Sequence, residues 1–204
     1  MTEIKICGLT CKEDIDIINE FPITYAGFVL YVPKSKRNLT LEQAQQLKAG
    51  LKESVKTVAV TVSPTKEQVE LIQEAGFDVI QIHGSLHREV EQYVKISVFR
   101  AVNVETEEDI QKVMKEASNK ISYFVFDGRT PGGGETFDWG MLKKTVDNTT
   151  KIMLAGGLTD KNVGEAIRLL HPGIVDVSSG VEKETGKGKD KEKIARFVKA
   201  VFNR

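Results

Sequence analysis

The sequence predicts a single-domain (β/α)8 barrel, and three observations support this prediction. Eight short apolar segments rich in Val, Ile and Phe recur along the chain, and amphipathic segments separate them. Most of the apolar segments are nearly continuous, which is typical of parallel strands buried on both faces. The repeats of roughly 25 residues run through all 204 residues without a composition break, so one barrel domain is expected over 1–204. An open doubly wound sheet is the alternative arrangement of the same elements.

The expected elements follow from the spacing of the apolar residues. Strands are predicted at 3–7, 26–30, 55–62, 78–83, 96–102, 121–126, 151–155 and 174–179. In four of the intervening segments apolar residues recur every three or four positions, as they do in amphipathic helices. These helices are predicted at 12–20, 66–75, 106–117 and 190–202. Thr106 followed by acidic residues is typical of a helix start.

Composition and charge exclude several classes of protein. Lys plus Arg and Asp plus Glu both number 29, and a general nucleic-acid binder normally has a basic surplus. No apolar run approaches the 18 or more residues of a membrane span, so no membrane partner is expected. The polar start "MTE" carries no secretory signal, and two cysteines do not form a disulfide framework. A cytoplasmic protein is therefore expected.

The ends of the predicted strands carry chemically reactive and glycine-rich sequences. In (β/α)8 barrels the active site lies where the strands end and the βα loops begin. Along the chain those ends are Cys7, the loop with Arg37, Ser63, His83, Asn103, Asp127, Gly156–Gly157 and Ser178–Ser179–Gly180. We expect these residues to surround one site.

Two cysteines and two histidines raise the possibility of a zinc site. Cys7 and Cys11 are four residues apart, as are His83 and His87, and these are the ligand types of tetrahedral zinc. However, Cys11 and His87 belong on or beside the helices that follow their strands, whereas Cys7 and His83 lie at strand ends. No metal site is therefore predicted, and no disulfide is expected between the two cysteines.

Two loops near the carboxyl end of the chain resemble phosphate sites. "LAGGL" (154–158) and "VDVSSGV" (175–181) place small residues directly after buried strands, where backbone N–H groups can approach an anion. A short helix beginning after "SSG" would add its positive end. The alternative is that Gly156–Gly157 only makes a turn. We predict that Gly156, Gly157, Ser178, Ser179 and Gly180 bind a phosphate group.

Three other loops have less specific sequences. Asp127 ends a strand, and the following Gly132–Gly134 stretch is able to close over a ligand, although an aspartate there can also be a cap or turn residue. Arg37 lies in a basic loop that is either solvated or holds a carboxylate. The lysine-rich stretch at 182–193 is interpreted as a solvated connection to the last helix.

Several phrases together resemble the phosphoribosylanthranilate isomerases of tryptophan biosynthesis. They are "KICGLT", "GFVL" followed by "SKR", "VIQIHG", "FDW", "LAGGLTDKNV" and "VDVSSGVE", and they span residues 5–182 in order. The chain departs from the family at the loop before "FDW", where "PGGGET" replaces the usual "GGTG". The resemblance implies a (β/α)8 barrel and an Amadori rearrangement of a small phosphorylated substrate without metal or cofactor. A monomer or homodimer is expected.

The resemblance also implies roles for individual residues. The general base falls on Cys7, the general acid on Asp127, and the carboxylate-binding arginine on Arg37; Asp176 and His83 are expected to contact the substrate. For this chemistry the site should favour a Cys7 thiolate and a protonated Asp127, against their ordinary pKa values. The alternatives are another barrel sugar-phosphate isomerase or epimerase, and a non-catalytic paralogue that binds a phosphorylated ligand.

Overall fold

The computed structural model describes residues 1–116, 118–128, 136–147 and 151–202. The strands are β1 Glu3–Cys7, β2 Tyr25–Leu30, β3 Asn38–Leu39, β4 Lys56–Val62, β5 Val79–His83, β6 Ser97–Asn103, β7 Ile121–Asp127, β8 Ile152–Leu154 and β9 Ile174–Val177. The helices are α1 Lys12–Glu20, α2 Leu41–Lys48, α3 Lys66–Glu74, α4 Arg88–Glu91, α5 Glu107–Met114, α6 Trp139–Thr145, α7 Val163–Leu170 and α8 Lys191–Phe202. None of the helices in these ranges is long and apolar enough to cross a bilayer.

The sheet closes into a barrel because β1 pairs with both β2 and β9. The ring runs β1-β9-β8-β7-β6-β5-β4-β2, and each pair is parallel. The short β3 is a two-residue addition outside the ring that pairs with β2. The predicted (β/α)8 barrel is confirmed, and the open doubly wound sheet is wrong.

The helices begin where the sequence supplies caps. Thr40 and Thr65 each accept a hydrogen bond from a backbone N–H one turn later, and a glutamine side chain bonds back to the cap. At the start of α5, which the sequence predicts at Thr106, the Asp109 carboxylate accepts hydrogen bonds from the backbone N–H and the hydroxyl of Thr106. These caps satisfy N–H groups that the first helical turn leaves unpaired.

Alternate residues of each strand belong to two different apolar layers. Odd-numbered positions of β1 and β5 face the barrel interior, whereas their even-numbered neighbours pack under the helices. Large interior side chains such as Tyr25, Phe99 and Tyr123 pack edge to face and fill the lower half of the barrel. This packing leaves the carboxyl ends of the strands as the place for a polar site.

Two expectations about loops have different outcomes. The short helix expected after "SSG" is a single 3-10 turn, Ser179–Val181, that begins within the motif. A turn of this length has only a small dipole, so the expected contribution from a helix end is wrong. The proposed Gly132–Gly134 lid and Pro131 lie outside the described residues.

Candidate active site

A cavity of about 740 Å³ opens at the carboxyl ends of the strands. Because side chains at i and i+2 of a strand share one face, each strand supplies its last interior residues to the same space. The polar side chains that line it include Cys7, Gln81, His83, Asp127 and Asp176. Arg37 reaches the cavity from the loop between β2 and β3. Residues that are far apart in the sequence thus meet in one site.

Cys7 and Asp127 lie on different sides of this cavity. Cys7 ends β1 and Asp127 ends β7, and β9 and β8 separate these two strands around the ring. In a ring of eight, strands three steps apart lie across the mouth from each other. A ligand in the cavity therefore has a thiol on one side and a carboxyl on the other.

The environment of Asp127 favours its neutral form. The side chain is buried, and Oδ1 accepts a hydrogen bond from the Gly128 N–H at 2.8 Å. Burial, with added repulsion from Asp176, raises the pKa of Asp127 to about 7, although the Gly128 hydrogen bond and Lys5 oppose this shift. A large fraction of Asp127 is therefore protonated at neutral pH, as a general acid requires.

The environment of Cys7 has opposing effects. Burial raises the pKa of the half-buried thiol, and Asp176 adds to the increase, whereas Lys5 and Lys189 lower it. The net direction is upward, which is opposite to the shift that a Cys7 thiolate needs. Lys5 and Lys189 are the expected cationic neighbours, but burial has a larger effect on the pKa of Cys7 than they have.

A buried ion pair lies directly below Cys7. The Lys5 Nζ is 2.6 Å from Asp176 Oδ2, and both side chains are almost fully excluded from solvent. Their backbones are register partners on neighbouring strands β1 and β9. The second carboxylate oxygen, Asp176 Oδ1, is buried without a protein hydrogen-bond partner. It is available to accept a hydrogen bond from a ligand.

Arg37 is held by an acid from the opposite loop. Its Nε donates to Glu182 Oε1 at 2.5 Å, and Arg37 lines the cavity. Its Nη2 is buried and has no hydrogen-bond partner among the described residues. Lys36 and Lys189 also bond Glu182. Burial raises the pKa of Glu182, but these three cations outweigh it and hold the pKa at about 2. A guanidinium nitrogen without a partner can donate a hydrogen bond to an anionic group.

The interpretation of 182–193 as a solvated connection is wrong at two positions. Glu182 is 7% exposed and Lys189 is fully buried. Lys189 Nζ donates to the Ser178 carbonyl oxygen, and its backbone N–H donates to Asp14 of α1. The lysine-rich composition conceals this one structural lysine among exposed ones.

His83 has a neutral imidazole in this site. Burial, together with the charges of Lys5 and Arg100, lowers the pKa of His83 to about 4. One ring nitrogen, Nε2, lies 3.0 Å from the Gln81 amide nitrogen, and Gln81 Oε1 is buried without a partner. His83 is placed to contact a ligand by hydrogen bonding, not by charge.

The four residues weighed for zinc do not form one cluster. Cys7, His83 and His87 line the cavity, whereas Cys11 directly precedes α1, and both cysteines are free thiols. Within the described part of the chain no group of three His, Cys, Asp or Glu side chains could hold a metal ion.

The two glycine-containing loops lie side by side. Gly156 and Gly157 both have positive φ, at 78° and 61°, and line the cavity with Ser178 and Ser179. Gly180 is instead packed against the other loop, since a Cβ there would lie 2.0 Å from the Leu158 carbonyl oxygen. The loops after β8 and β9 together form a small-residue edge of the cavity, suited to the close approach of an anion.

Gly156→Ala is expected to damage the site. An added Cβ would lie 2.3 Å from Gly128 N and 2.8 Å from Asp127 Oδ1, in a left-handed backbone conformation. The conformation alone costs about 1–2 kcal/mol, and the contact displaces Asp127. We expect lower free energy of unfolding in urea and a loss of turnover of at least about tenfold, since even a 1 Å misplacement can cost 10²-fold.

Gly164→Ala is the matched control for this change. Gly164 lies in α7, and the nearest neighbour of a Cβ added there would be 3.8 Å away, an ordinary contact. The variant should therefore retain activity, and its free energy of unfolding should increase by up to about 1 kcal/mol from helix propensity. Wild-type stability and turnover in Gly156→Ala would contradict the assigned geometry.

Three site residues were missed by sequence reasoning. Lys5 and Gln81 each lie two residues before a predicted strand end, and Lys189 lies in the lysine-rich loop. The strand period of two could have identified Lys5 and Gln81, because they share the interior face with Cys7 and His83. No local signal distinguishes Lys189 from its neighbours.

Comparisons with known proteins agree with this geometry. Residues 4–200 match the family model described as N-(5'phosphoribosyl)anthranilate (PRA) isomerase. An N-(5'-phosphoribosyl)anthranilate isomerase of Streptococcus mutans is 41% identical over 202 residues, covering 98% of this chain and 99% of that protein. One of Thermoanaerobacter sp. is also 41% identical, covering 98% of each chain.

Solved structures give the same result. The phosphoribosyl anthranilate isomerase of Thermotoga maritima superposes with a TM-score of 0.89 at 32% identity, covering all of both chains. A further structure, of phosphoribosyl anthranilate isomerase in complex with reduced 1-(o-carboxyphenylamino)-1-deoxyribulose 5-phosphate, has a TM-score of 0.82 at 30% identity over both full chains. Fold and sequence therefore agree, and the chain belongs to the N-(5'-phosphoribosyl)anthranilate isomerase family.

Proposed function

We propose that this chain converts N-(5-phosphoribosyl)anthranilate to 1-(2-carboxyphenylamino)-1-deoxyribulose 5-phosphate in tryptophan biosynthesis, with Cys7 as general base and Asp127 as general acid. The observation that carries the proposal is the pairing of Cys7 and Asp127 across one cavity, in a member of this isomerase family. The ligand of the related complex, a reduced form of this product, supports the substrate class.

The first step is acid-catalysed opening of the furanose ring. Protonated Asp127 donates its proton to the ring oxygen, and the bond between that oxygen and C1 breaks. The lone pair of the anthranilate nitrogen forms the C1=N double bond, so a protonated Schiff base results. The raised pKa of Asp127, about 7, supports this role because the carboxyl holds its proton at neutral pH.

The second step is removal of the proton on C2. The Cys7 thiolate takes this proton, and the bonding electrons form a C1=C2 double bond while the Schiff base nitrogen becomes neutral. The resulting enolamine loses the proton of its C2 hydroxyl and gains one on C1, which gives the ketone. The lysines beside Cys7 support this step because they stabilise the thiolate against the cost of burial.

The remaining predicted residues hold the substrate at its charged ends. Arg37 binds the anthranilate carboxylate through Nη2, Asp176 Oδ1 accepts a hydrogen bond from a sugar hydroxyl, and His83 donates or accepts another. The loops at Gly156–Gly157 and Ser178–Gly180 bind the phosphate through backbone N–H groups. Binding at both ends fixes C1 and C2 between thiol and carboxyl.

A fluorescence assay tests the proposed reaction. Anthranilate makes the substrate fluorescent, and rearrangement should remove this signal when the purified chain is added in the presence of EDTA. Heat-denatured protein is the control for spontaneous loss of the substrate. Tight binding of the substrate without turnover would instead support a non-catalytic paralogue. Turnover of another pentose phosphate alone would support a different sugar-phosphate isomerase or epimerase.

Two coarser expectations stay predictions. Cytoplasmic location and a monomeric or homodimeric state follow from the composition and from the family resemblance. Size-exclusion chromatography with light scattering at micromolar concentration measures the second directly.

A further inference from the structure

Lys5 is a fully buried lysine inside the barrel. It lies in the middle of β1, two residues before Cys7, and has 0% exposure. A buried ammonium group is costly unless it is paired, and Asp176 Oδ2 at 2.6 Å supplies the partner. Barrel interiors of this kind are usually filled by branched apolar residues, so a charged pair at this level needs a reason.

The position of Lys5 relative to Cys7 suggests the reason. Both side chains lie on the interior face of β1 and both border Gly27 of β2. A Cβ at Gly27 would lie 3.0 Å from the Cys7 Sγ and 3.3 Å from the Lys5 Cε. The missing side chain at Gly27 thus leaves room for the end of Lys5 to lie beside the sulfur. A glycine at this position allows the two groups to be neighbours.

Other charged groups also surround the sulfur. Asp176 of β9 and Lys189 of the loop before α8 both act on the pKa of Cys7. Asp127, His83 and Arg37 line the same cavity from β7, β5 and the loop after β2. Lys189 is already committed to Glu182 and the Ser178 carbonyl oxygen, and Arg37 to Glu182. Lys189 is also buried, but among the described residues Lys5 is the cation that shares the interior face of β1 with Cys7 and borders Gly27 beside the sulfur.

We propose that Lys5 is a positioning residue that acts through Cys7: it keeps a positive charge beside the sulfur, and Asp176 keeps that charge in place. This inference rests on the proposed function in assigning Cys7 as the base. The directions of the pKa shifts agree with it. Lys5 lowers the pKa of Cys7, whereas burial alone lowers that of Lys5 and the charges of Asp176 and Cys7 more than restore it. The protein therefore holds a cation where a thiolate must form.

The reactivity of Cys7 towards iodoacetamide, without substrate, tests the proposal. The thiolate is the reactive form, so the alkylation rate against pH reports the thiol pKa. The measurement is made in a Cys11→Ser background, because Cys11 lies outside the site. Lys5→Met should raise the pKa of Cys7 by about 1 unit or more, and slow alkylation at pH 7 about tenfold.

Asp176→Asn is not the decisive variant, because it has two opposing effects on the thiol. It removes a negative charge that raises the pKa of Cys7, and it also removes the partner that keeps Lys5 charged. General loosening of the barrel would expose the thiol and make alkylation faster. Slower alkylation at pH 7 in Lys5→Met, with a higher thiol pKa than in the wild type, supports the proposal. An unchanged or faster Lys5→Met profile overturns it.

A double variant covers the case in which Lys5→Met does not fold because Asp176 is left unpaired. Lys5→Met/Asp176→Asn removes both charges, and its Cys7 should alkylate more slowly than that of the wild type, because Lys5 acts more strongly on the sulfur than Asp176 does. Equal or faster alkylation would overturn the proposal. Alkylation needs no turnover, so the two proposals can fail separately. If Lys5→Met slows alkylation of Cys7 but Cys7→Ser keeps full activity, Cys7 is not the general base. The effect of Lys5 on the Cys7 thiol then still holds.

Discussion

Cys7→Ser is expected to lower kcat/KM by about 10²- to 10⁴-fold, the range of a lost general base. Serine keeps the size and the hydrogen-bonding capacity of the side chain, but its hydroxyl is far less acidic than a thiol, so almost no base is present at neutral pH. The expected loss is chemical and not structural, since Cys7 makes no disulfide. The fluorescence assay measures it, with circular dichroism to check the fold.

Cys11→Ser is the matched control for this prediction. Cys11 begins α1, is partly exposed and does not line the cavity. The same substitution there should leave kcat/KM unchanged. Full activity in Cys7→Ser, or an equal loss in both variants, would show that Cys7 is not the base.

Asp127→Asn is expected to lower kcat/KM by a similar factor, about 10²- to 10⁴-fold, because the amide has no proton to deliver to the ring oxygen. The change keeps the shape of the side chain, and the amide oxygen can accept the Gly128 hydrogen bond as the carboxylate oxygen does. Retention of normal turnover would refute the assignment of Asp127 as the acid.

The same variant should be more stable than the wild type at pH 8. The pKa of Asp127 rises from 3.8 to about 7 on folding, so its contribution to stability is full below pH 4 and is lost as the pH rises through about 7. Above that pH the buried ionised carboxylate costs about 2–4 kcal/mol, and Asn removes this cost. Lower activity with a higher midpoint of urea unfolding at pH 8 distinguishes a lost acid from a damaged fold.

The pH profiles of these two variants separate the two roles. The active form needs Cys7 deprotonated and Asp127 protonated, although Cys7 has the higher pKa. In the wild type kcat/KM should therefore rise up to about pH 7 and then stay level, because the loss of protonated Asp127 offsets the gain in thiolate. In Asp127→Asn, kcat/KM should keep rising above pH 7 instead of staying level. In Cys7→Ser, the residual kcat/KM should fall above about pH 7.

Much of the barrel could be predicted because its signals are local. A nearly continuous apolar segment specifies a buried strand, and the eight strands begin and end within a residue or two of their predicted limits. Eight parallel strands joined by short connections then favour a sheet that closes into a barrel. The weak α4, with four residues, and the two-residue β3 gave no such signal.

The strand pattern could place only those side chains of the candidate site that lie at the end of a strand. Cys7, His83 and Asp127 each end a strand, so the register along the chain is enough to place them at the mouth. Lys5 and Lys189 are different, because a lysine in isolation is expected on the surface. Lys5 is paired with Asp176, which lies 171 residues away in the sequence. Lys189 is paired with Glu182 of the same loop, but its backbone N–H donates to Asp14 of the distant α1.

The sequence by itself determined the strand ends, and with them which side chains can reach a ligand, because alternation and apolar spacing are properties of the chain alone. The tertiary structure decided their ionisation. Burial favours the neutral form of Asp127 and of Cys7, and only the assembled barrel brings Asp176 next to Lys5 and Glu182 next to Arg37. Desolvation and the distances between charges exist only after folding, so no reading of the chain can provide them.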